Sequence, residues 1–177
     1  MDFELAPQIS VQTGTFAAVI APEELMLPAL TNPAAGKYLL LYLAGSRSGI
    51  LPALPMRPGT MDVVRLQSPE ALAAAVRKAN HTIVFVEHDP SLYGSPDDVA
   101  PVARSLKAAA GESLVLLYTP KSDRWFDYFL PEADQVYYFR PPPVPPRAAP
   151  GRPAKARGRP GAAGGQATLG GFSGEVS

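Results

Sequence analysis

The residues best placed for chemistry in this 177-residue chain directly follow two apolar runs. Glu87, His88 and Asp89 come after HTIVFV, and Lys121-Ser122-Asp123-Arg124 comes after LVLLYTP. A carboxylate at the end of a buried strand can bind magnesium, and a neighbouring histidine or aspartate can act as an acid or base. The alternative is structural, and we favour it: Glu87, His88 and Asp89 are solvated loop residues that cap a turn before Pro90.

The composition narrows the chemistry further. The chain has no cysteine and two histidines, which excludes a disulfide framework, a Cys-ligated zinc site and a thiol nucleophile. A G-x-S-x-G motif is also absent from the sequence. We therefore expect no catalytic or metal-binding residue. Glu87, His88, Asp89 and Asp123 are kept as candidates for an alternative in which the chain is an enzyme.

Six short apolar runs predict the strands that position these side chains. Two helices are clearly marked, because Ser68-Pro69-Glu70 and Ser95-Pro96-Asp97-Asp98 each combine an N-cap serine, a first-turn proline and early acids. A short helix is expected over 124–130. The predicted strands are 15–20, 37–44, 61–66, 81–87, 114–119 and 135–139.

This alternation predicts the fold class. Strands separated by helices are typical of a parallel sheet with helices on both faces. We expect an α/β domain over residues 1–140, a three-layer sandwich with a mostly parallel sheet. Prolines crowd the first 60 residues, where we expect irregular structure.

Residues 44–51 (AGSRSGIL) form a stretch of small residues after the second predicted strand. Together with Glu87 in a Walker-B-like position, they resemble the core of RecA-like ATPases. Ile50 and Leu51 stand where a P-loop, GxxxxGK[ST], requires lysine and serine or threonine. The resemblance implies a RecA-like domain without a P-loop, and we expect neither ATP nor another cofactor. We expect Mg²⁺ binding only under the alternative hypothesis, in which the chain is a metal-dependent nuclease or nucleotide hydrolase that uses Glu87 and Asp89.

The composition of the chain changes at Arg140, where the regular apolar segments end and a stretch rich in Pro, Gly, Ala and Arg begins. Residues 141–165 (PPPVPPRAAPGRPAKARGRPGAAGG) hold too little apolar surface to offset the entropy of folding, so we expect a disordered basic linker. Residues 141–177 carry five basic and one acidic residue, a net charge of +4. Residues 1–140 carry 11 basic and 15 acidic residues, a net charge of −4. This asymmetry indicates that the tail contacts a polyanion.

A peptide with two large apolar side chains three residues apart, QATLGGFS, begins at Gln166. It resembles the PIP box, Q-x-x-h-x-x-a-a, with which replication and repair proteins dock on PCNA-type sliding clamps. The resemblance assigns Gln166, Leu169 and Phe172 to the polar, aliphatic and aromatic positions, and Thr168 fits the archaeal form Q-x-T-L-x-x-F. Ser173 departs from the pattern, because a second aromatic residue is usual there. Side chains at i and i+3 lie on one side of a 3₁₀ turn and can enter one pocket.

Arg157-Gly158-Arg159-Pro160 resembles the core of an AT-hook, whose extended Arg-Gly-Arg lies in a narrow A·T minor groove. Arg152 and Lys155 add positive charge for phosphate contacts. These residues predict double-stranded DNA as a partner of the tail. The alternative is a basic linker that only improves solubility.

Together these features predict a non-catalytic accessory factor of DNA replication or repair. We expect the peptide at 166–173 to bind a PCNA-type sliding clamp, and the α/β domain to bind an unidentified protein partner. Such a clamp implies an archaeal or eukaryotic cell, and a composition rich in Ala, Pro, Gly and Arg favours an archaeon. Since the sequence shows neither a signal peptide nor a membrane span, we expect a cytoplasmic, nucleoid-associated protein with no membrane partner. A third alternative is an interaction module unrelated to DNA, with Pro141 to Pro146 as an SH3- or WW-type ligand.

Overall fold

A computed structural model describes residues 2–139 of the chain. Its strands are β1 (Asp2–Ala6), β2 (Ile9–Gln12), β3 (Phe16–Ile20), β4 (Leu40–Ala44), β5 (Met61–Arg65), β6 (Ile83–Glu87), β7 (Leu114–Thr119) and β8 (Gln135–Tyr138). Its α-helices are α1 (Glu23–Thr31), α2 (Pro69–Arg77), α3 (Pro96–Ala109) and α4 (Arg124–Asp127). Short 3₁₀ turns lie at Ala35–Lys37, Leu51–Ala53, Pro90–Leu92 and Leu130–Glu132.

Six of the strands form one sheet in the order β5-β4-β6-β7-β3-β8, and β1 and β2 form a separate antiparallel hairpin. Every neighbouring pair in the six-stranded sheet runs parallel. The carboxyl ends of the six strands therefore lie along one edge. In open α/β sheets this is the edge where ligands bind.

The sheet is covered on both faces. Successive side chains of a strand point to opposite faces, so each central strand contributes to two cores. Val84 of β6 belongs to a core with Leu72 of α2 and Val102 of α3. Its neighbour Phe85 belongs to a second core with Met26 of α1 and with the β1–β2 hairpin. The predicted α/β three-layer sandwich is therefore confirmed.

The predicted elements lie close to the observed ones. All six predicted strands are present, and the largest difference is at β4, which begins at Leu40 because Lys37 belongs to a 3₁₀ turn. Both predicted helix starts are confirmed: Ser68 Oγ accepts from the N–H of Ala71 at 3.2 Å, and Ser95 forms a capping box with Asp98. The predicted helix at 124–130 is shorter, since α4 ends at Asp127.

The expectation of irregular structure in the first 60 residues is wrong for the hairpin and for α1. The hairpin turns at Pro7 and Gln8, and Gln8 adopts a left-handed conformation with φ of 69°. Helix α1 forms although Pro28 lies inside it, and its first turn carries Glu23 and Glu24. Acidic side chains at that position interact favourably with the N-terminal end of the helix dipole.

No helix between residues 2 and 139 is long and apolar enough to cross a bilayer. The predicted linker at 141–165 and the clamp-binding peptide at 166–173 lie outside the described residues.

Candidate functional site

Three loops meet at the carboxyl edge of the sheet, where the sequence predicted the candidate residues to lie. They follow β4 (residues 45–50), β6 (residues 88–89) and β7 (residues 120–123). The side chains of Glu87 and Asp89 bind the first loop, and that of His88 contacts Asp123 in the third. The parallel topology thus brings all four candidates to one edge, in two separate contact groups.

Glu87 is the last residue of β6 and only 5% of it is exposed. Its Oε1 accepts from the backbone N–H groups of Gly49 at 2.7 Å and Ile50 at 3.4 Å. Its Oε2 accepts from the hydroxyls of Tyr42 and Ser48. Burial and the bond to Glu87 raise the pKa of Tyr42, so its hydroxyl remains a neutral donor. Both oxygens of the carboxylate are therefore used by the protein.

The loop at 45–50 surrounds this carboxylate as a phosphate-binding loop surrounds an anion. In such loops successive backbone N–H groups point at the bound negative charge. Here the N–H groups of Gly49 and Ile50 point at Glu87, and Ser48 Oγ also accepts from the N–H of Leu51 at 3.0 Å. A phosphate at this position would have to displace a buried carboxylate, which is a physical argument against a nucleotide site.

Asp89 fixes the other half of the same loop. Its Oδ2 accepts from the N–H of Arg47 at 3.2 Å and lies 3.4 Å from the hydroxyl of Ser46. Its Oδ1 accepts from the N–H of Ser91 at 3.0 Å and from its hydroxyl at 2.6 Å, so Asp89 caps the 3₁₀ turn that begins at Pro90. Burial acts to raise the pKa of Asp89, but these hydrogen bonds outweigh it and hold the pKa below its usual value.

The predicted cap before Pro90 is thus present, but the prediction of solvated side chains is wrong. Glu87, His88 and Asp89 are all buried. Two glycines of the loop at 45–50 allow carboxylates to approach its backbone closely. A Cβ at Gly45 would collide with the Asp89 carboxylate, and a Cβ at Gly49 would collide with the carboxylate of Glu23 from α1.

His88 lies on the opposite face of the sheet edge, in an aromatic pocket. Its ring stacks on Tyr93 with centroids 5.7 Å apart and meets the ring edges of Phe126 and Phe129. Its Nε2 lies 3.1 Å from Asp123 Oδ2, while its buried Nδ1 has no hydrogen-bond partner within residues 2–139. Asp123 also caps α4, accepting from the N–H of Trp125 at 2.8 Å. The pair therefore joins the loop after β6 to the start of α4.

Burial lowers the pKa of His88 and outweighs the attraction of Asp123. The imidazole is therefore neutral near pH 7, and its Nε2–H donates to the Asp123 carboxylate. The unfolded chain, in which the pKa of histidine is about 6.5, binds this proton more readily. The contribution of neutral His88 to the free energy of unfolding is therefore fully present above about pH 6.5. It decreases as the pH falls toward the lower pKa of the folded state.

We expect the free energy of unfolding to fall as the pH drops below about 6.5, and a single proton limits this slope to about 1.4 kcal/mol per pH unit. Urea unfolding at several pH values measures this slope. His88→Gln should flatten this slope. If the slope is as steep in His88→Gln as in the wild type, His88 is not the source of the pH dependence.

Within the part of the chain that the structure describes, no three His, Cys, Asp or Glu side chains converge as a metal site requires. Glu87 and Asp89, the pair named for the enzyme alternative, each direct both oxygens at protein donors. Several cavities between residues 2 and 139 lie elsewhere, and one of about 380 Å³ lies along α3 beside Arg77 of α2. One of about 290 Å³ lies between the β1–β2 hairpin and α1, and one of about 240 Å³ lies between the C-terminal ends of α2 and α3.

Sequence reasoning missed the partners of these side chains. Tyr42 and Ser48 hold Glu87, and Tyr93 covers His88. One feature of the sequence did indicate such a contact: Tyr42 places a hydroxyl group within the apolar run of β4, and a buried hydroxyl needs a hydrogen-bond partner. Nothing in the pattern showed that its hydroxyl meets the end of the neighbouring strand, because that contact depends on the order of strands in the sheet.

The remaining predicted residues lie outside the described part of the chain. They are the clamp-binding Gln166, Thr168, Leu169 and Phe172 and the nucleic-acid-binding Arg152, Lys155, Arg157, Gly158, Arg159 and Pro160. No known protein-family model matches the chain, and no curated protein shows significant similarity to it.

Proposed function

We propose that this chain is a non-catalytic accessory factor of DNA replication or repair that docks on a PCNA-type sliding clamp through residues 166–173. The proposal rests on one observation, the spacing of Gln166, Leu169 and Phe172 in a tail that is otherwise poor in large apolar side chains. Residues 141–165 contain only Val144 of this kind. The internal hydrogen bonds of Glu87 and Asp89 support a non-catalytic role for the α/β domain.

The peptide should bind weakly. Burying one leucine and one phenylalanine contributes about 3–6 kcal/mol before costs. Ordering a free peptide opposes binding, and Gly170 and Gly171 each cost about 1 kcal/mol relative to alanine in a helical turn. We therefore expect a Kd in the micromolar range. Calorimetry of a peptide spanning residues 160–177 with a PCNA-type clamp tests this, and no binding near 100 μM would oppose the proposal.

A weak peptide is sufficient because it acts as a tether. Docking at the clamp raises the effective concentration of the α/β domain near DNA, and contacts between the basic tail and DNA add a second point of attachment. The domain then meets its protein partner close to the duplex. In this scheme the domain needs a binding surface and no catalytic centre.

The basic residues of the tail give a separate prediction. Arg157→Ala combined with Arg159→Ala should weaken binding to an A·T-rich duplex and reduce the salt slope, log Kd against log salt, by up to about 2, because each lost phosphate contact removes about 0.9. Fluorescence anisotropy at several salt concentrations measures both quantities. Lys78→Ala with Arg104→Ala removes the same charge from the α/β domain and serves as the control. If the slope does not change, the two arginines do not contact phosphate.

The second candidate function is a metal-dependent nuclease or nucleotide hydrolase that uses Glu87 and Asp89. One observation favours it, since both carboxylates lie at the ligand-binding edge of the sheet. Incubation of the full chain with DNA or nucleotides and Mg²⁺ or Mn²⁺ distinguishes the two. Turnover that requires the metal would support the enzyme, and its absence would support the accessory factor.

A further inference from the structure

Among residues 2–139, strand β8 forms one edge of the sheet and pairs on one side only, with β3. Val136 and Tyr138, which lie on the same face of this strand, are 50% and 65% exposed. Both are large and apolar. Few large apolar side chains of residues 2–139 are as exposed as these two.

The backbone of the same two residues faces away from the sheet. The N–H of Phe139 donates to the carbonyl of Ile20 at 2.8 Å, and Ile20 is in register with Tyr138. Backbone groups in a parallel ladder alternate between the two sides of a strand. Because Phe139 faces β3, Val136 and Tyr138 present their N–H and C=O groups to the open edge.

This edge lacks the devices that usually prevent pairing with another chain. Natural edge strands carry charged residues, proline or bulges for that purpose. The sequence of β8, QVYY, contains no charge and no proline. The opposite edge of the sheet, β5, carries Asp62 and Arg65.

We propose that two copies of this chain associate through antiparallel pairing of β8, with the two-fold axis at Tyr137. In this register Val136 lies opposite Tyr138 of the second copy. The outward N–H and C=O groups of these residues then bond to each other as a hydrogen-bonded pair. Their side chains form an aromatic–β-branched pair, a favourable cross-strand combination. The same patch meets itself, as a two-fold interface requires.

The chain that follows β8 is a poorer occupant of the edge than a second copy. The 38 residues after Phe139 include eight prolines, three β-branched residues and one aromatic residue. Such a composition has little tendency to form a strand. By contrast, β8 has the β-branched and aromatic composition of a strand, and its alignment with a second copy opposes no like charges.

The interface is small, because only a few residues pair on each side. We therefore expect a weak dimer with a Kd on the order of 10–100 μM. This association is independent of the tail, so it can fail while the proposed clamp docking holds, and the reverse is also true.

Sedimentation velocity of the full-length chain between about 1 and 200 μM tests the proposal in the range set by this weak affinity. The wild-type chain should shift from monomer to dimer. Tyr138→Pro removes an outward N–H that makes no bond to β3, and Val136→Lys places a charge at the centre of the pairing. Each should raise the dimer Kd at least about 10-fold, a loss of 1.4 kcal/mol or more.

Two controls separate pairing from folding. Tyr128→Ala removes an exposed aromatic side chain of the segment after α4 and should leave the dimer Kd unchanged. Circular dichroism should show that Tyr138→Pro and Val136→Lys remain folded. A wild-type chain that stays monomeric up to about 200 μM would overturn the proposal, since this concentration exceeds the whole expected Kd range of about 10–100 μM. A dimer that survives in both edge variants would overturn it as well.

Discussion

Replacing Glu87 by alanine should lower the free energy of unfolding of the α/β domain by about 3–5 kcal/mol. The substitution removes the shared acceptor of the hydroxyls of Tyr42 and Ser48 and of the N–H groups of Gly49 and Ile50. Of these four residues Tyr42 and Ile50 are buried. A buried donor without a partner is costly, and the removed side chain also leaves a cavity. Equilibrium unfolding in urea, followed by circular dichroism, measures the change.

Glu87→Gln should lower the free energy of unfolding by less, about 1–2 kcal/mol. The amide oxygen can still accept from the backbone N–H groups of Gly49 and Ile50. The amide nitrogen then faces the hydroxyls of Tyr42 and Ser48, which can reverse and accept, whereas a backbone N–H cannot. Glu112→Ala removes an exposed carboxylate and is the control, with an expected change within about 0.5 kcal/mol. If Glu87→Ala is as stable as this control, Glu87 does not hold the loop at 45–50 in place.

Replacing Leu169 and Phe172 together by alanine should abolish clamp binding by the full-length chain. The two side chains supply most of the apolar surface that the peptide can bury, about 3–6 kcal/mol before ordering costs. The Kd should therefore rise at least about 100-fold, beyond the range of calorimetry for a peptide of micromolar affinity. Val144→Ala, which removes the large apolar side chain of the linker, is the control and should bind like the wild type. Unchanged binding by the double variant would show that the PIP-box assignment is wrong.

The core strands were predictable because their sequences leave few alternatives. LVLLYT of β7 is a mostly apolar run between Ser113 and Pro120, and it is buried along its whole length. Such runs suit a strand covered on both faces, and the helices between them are marked by Ser-Pro starts. Six parallel strands and the principal helices follow from these two signals.

The hairpin and α1 lacked comparable signals. A two-residue turn with proline first and a left-handed second residue usually has glycine or asparagine in second place, and here Gln8 occupies it. Helix α1 has no N-cap side chain and contains Pro28, which normally ends a helix. Packing against the sheet and the hairpin outweighs both local preferences.

The location of the candidate site was predictable, but its internal contacts were not. A parallel sheet brings strand ends to one edge, so the sequence indicated that Glu87, Asp89 and Asp123 lie together. It did not show that Glu87 and Asp89 bind opposite halves of one loop while Asp123 pairs with His88. These contacts depend on the strand order β5-β4-β6-β7, which no local pattern encodes.

The most direct test of the central claim is calorimetry of a PCNA-type clamp with two forms of the protein, the full-length chain and a chain that ends at Phe139. We predict a micromolar Kd for the full-length chain and no detectable heat for the truncated one, because the proposed contacts lie in residues 166–173. Equal binding by both forms, or no binding by the full-length chain near 100 μM, would contradict the account, since the expected affinity is well within reach of the method.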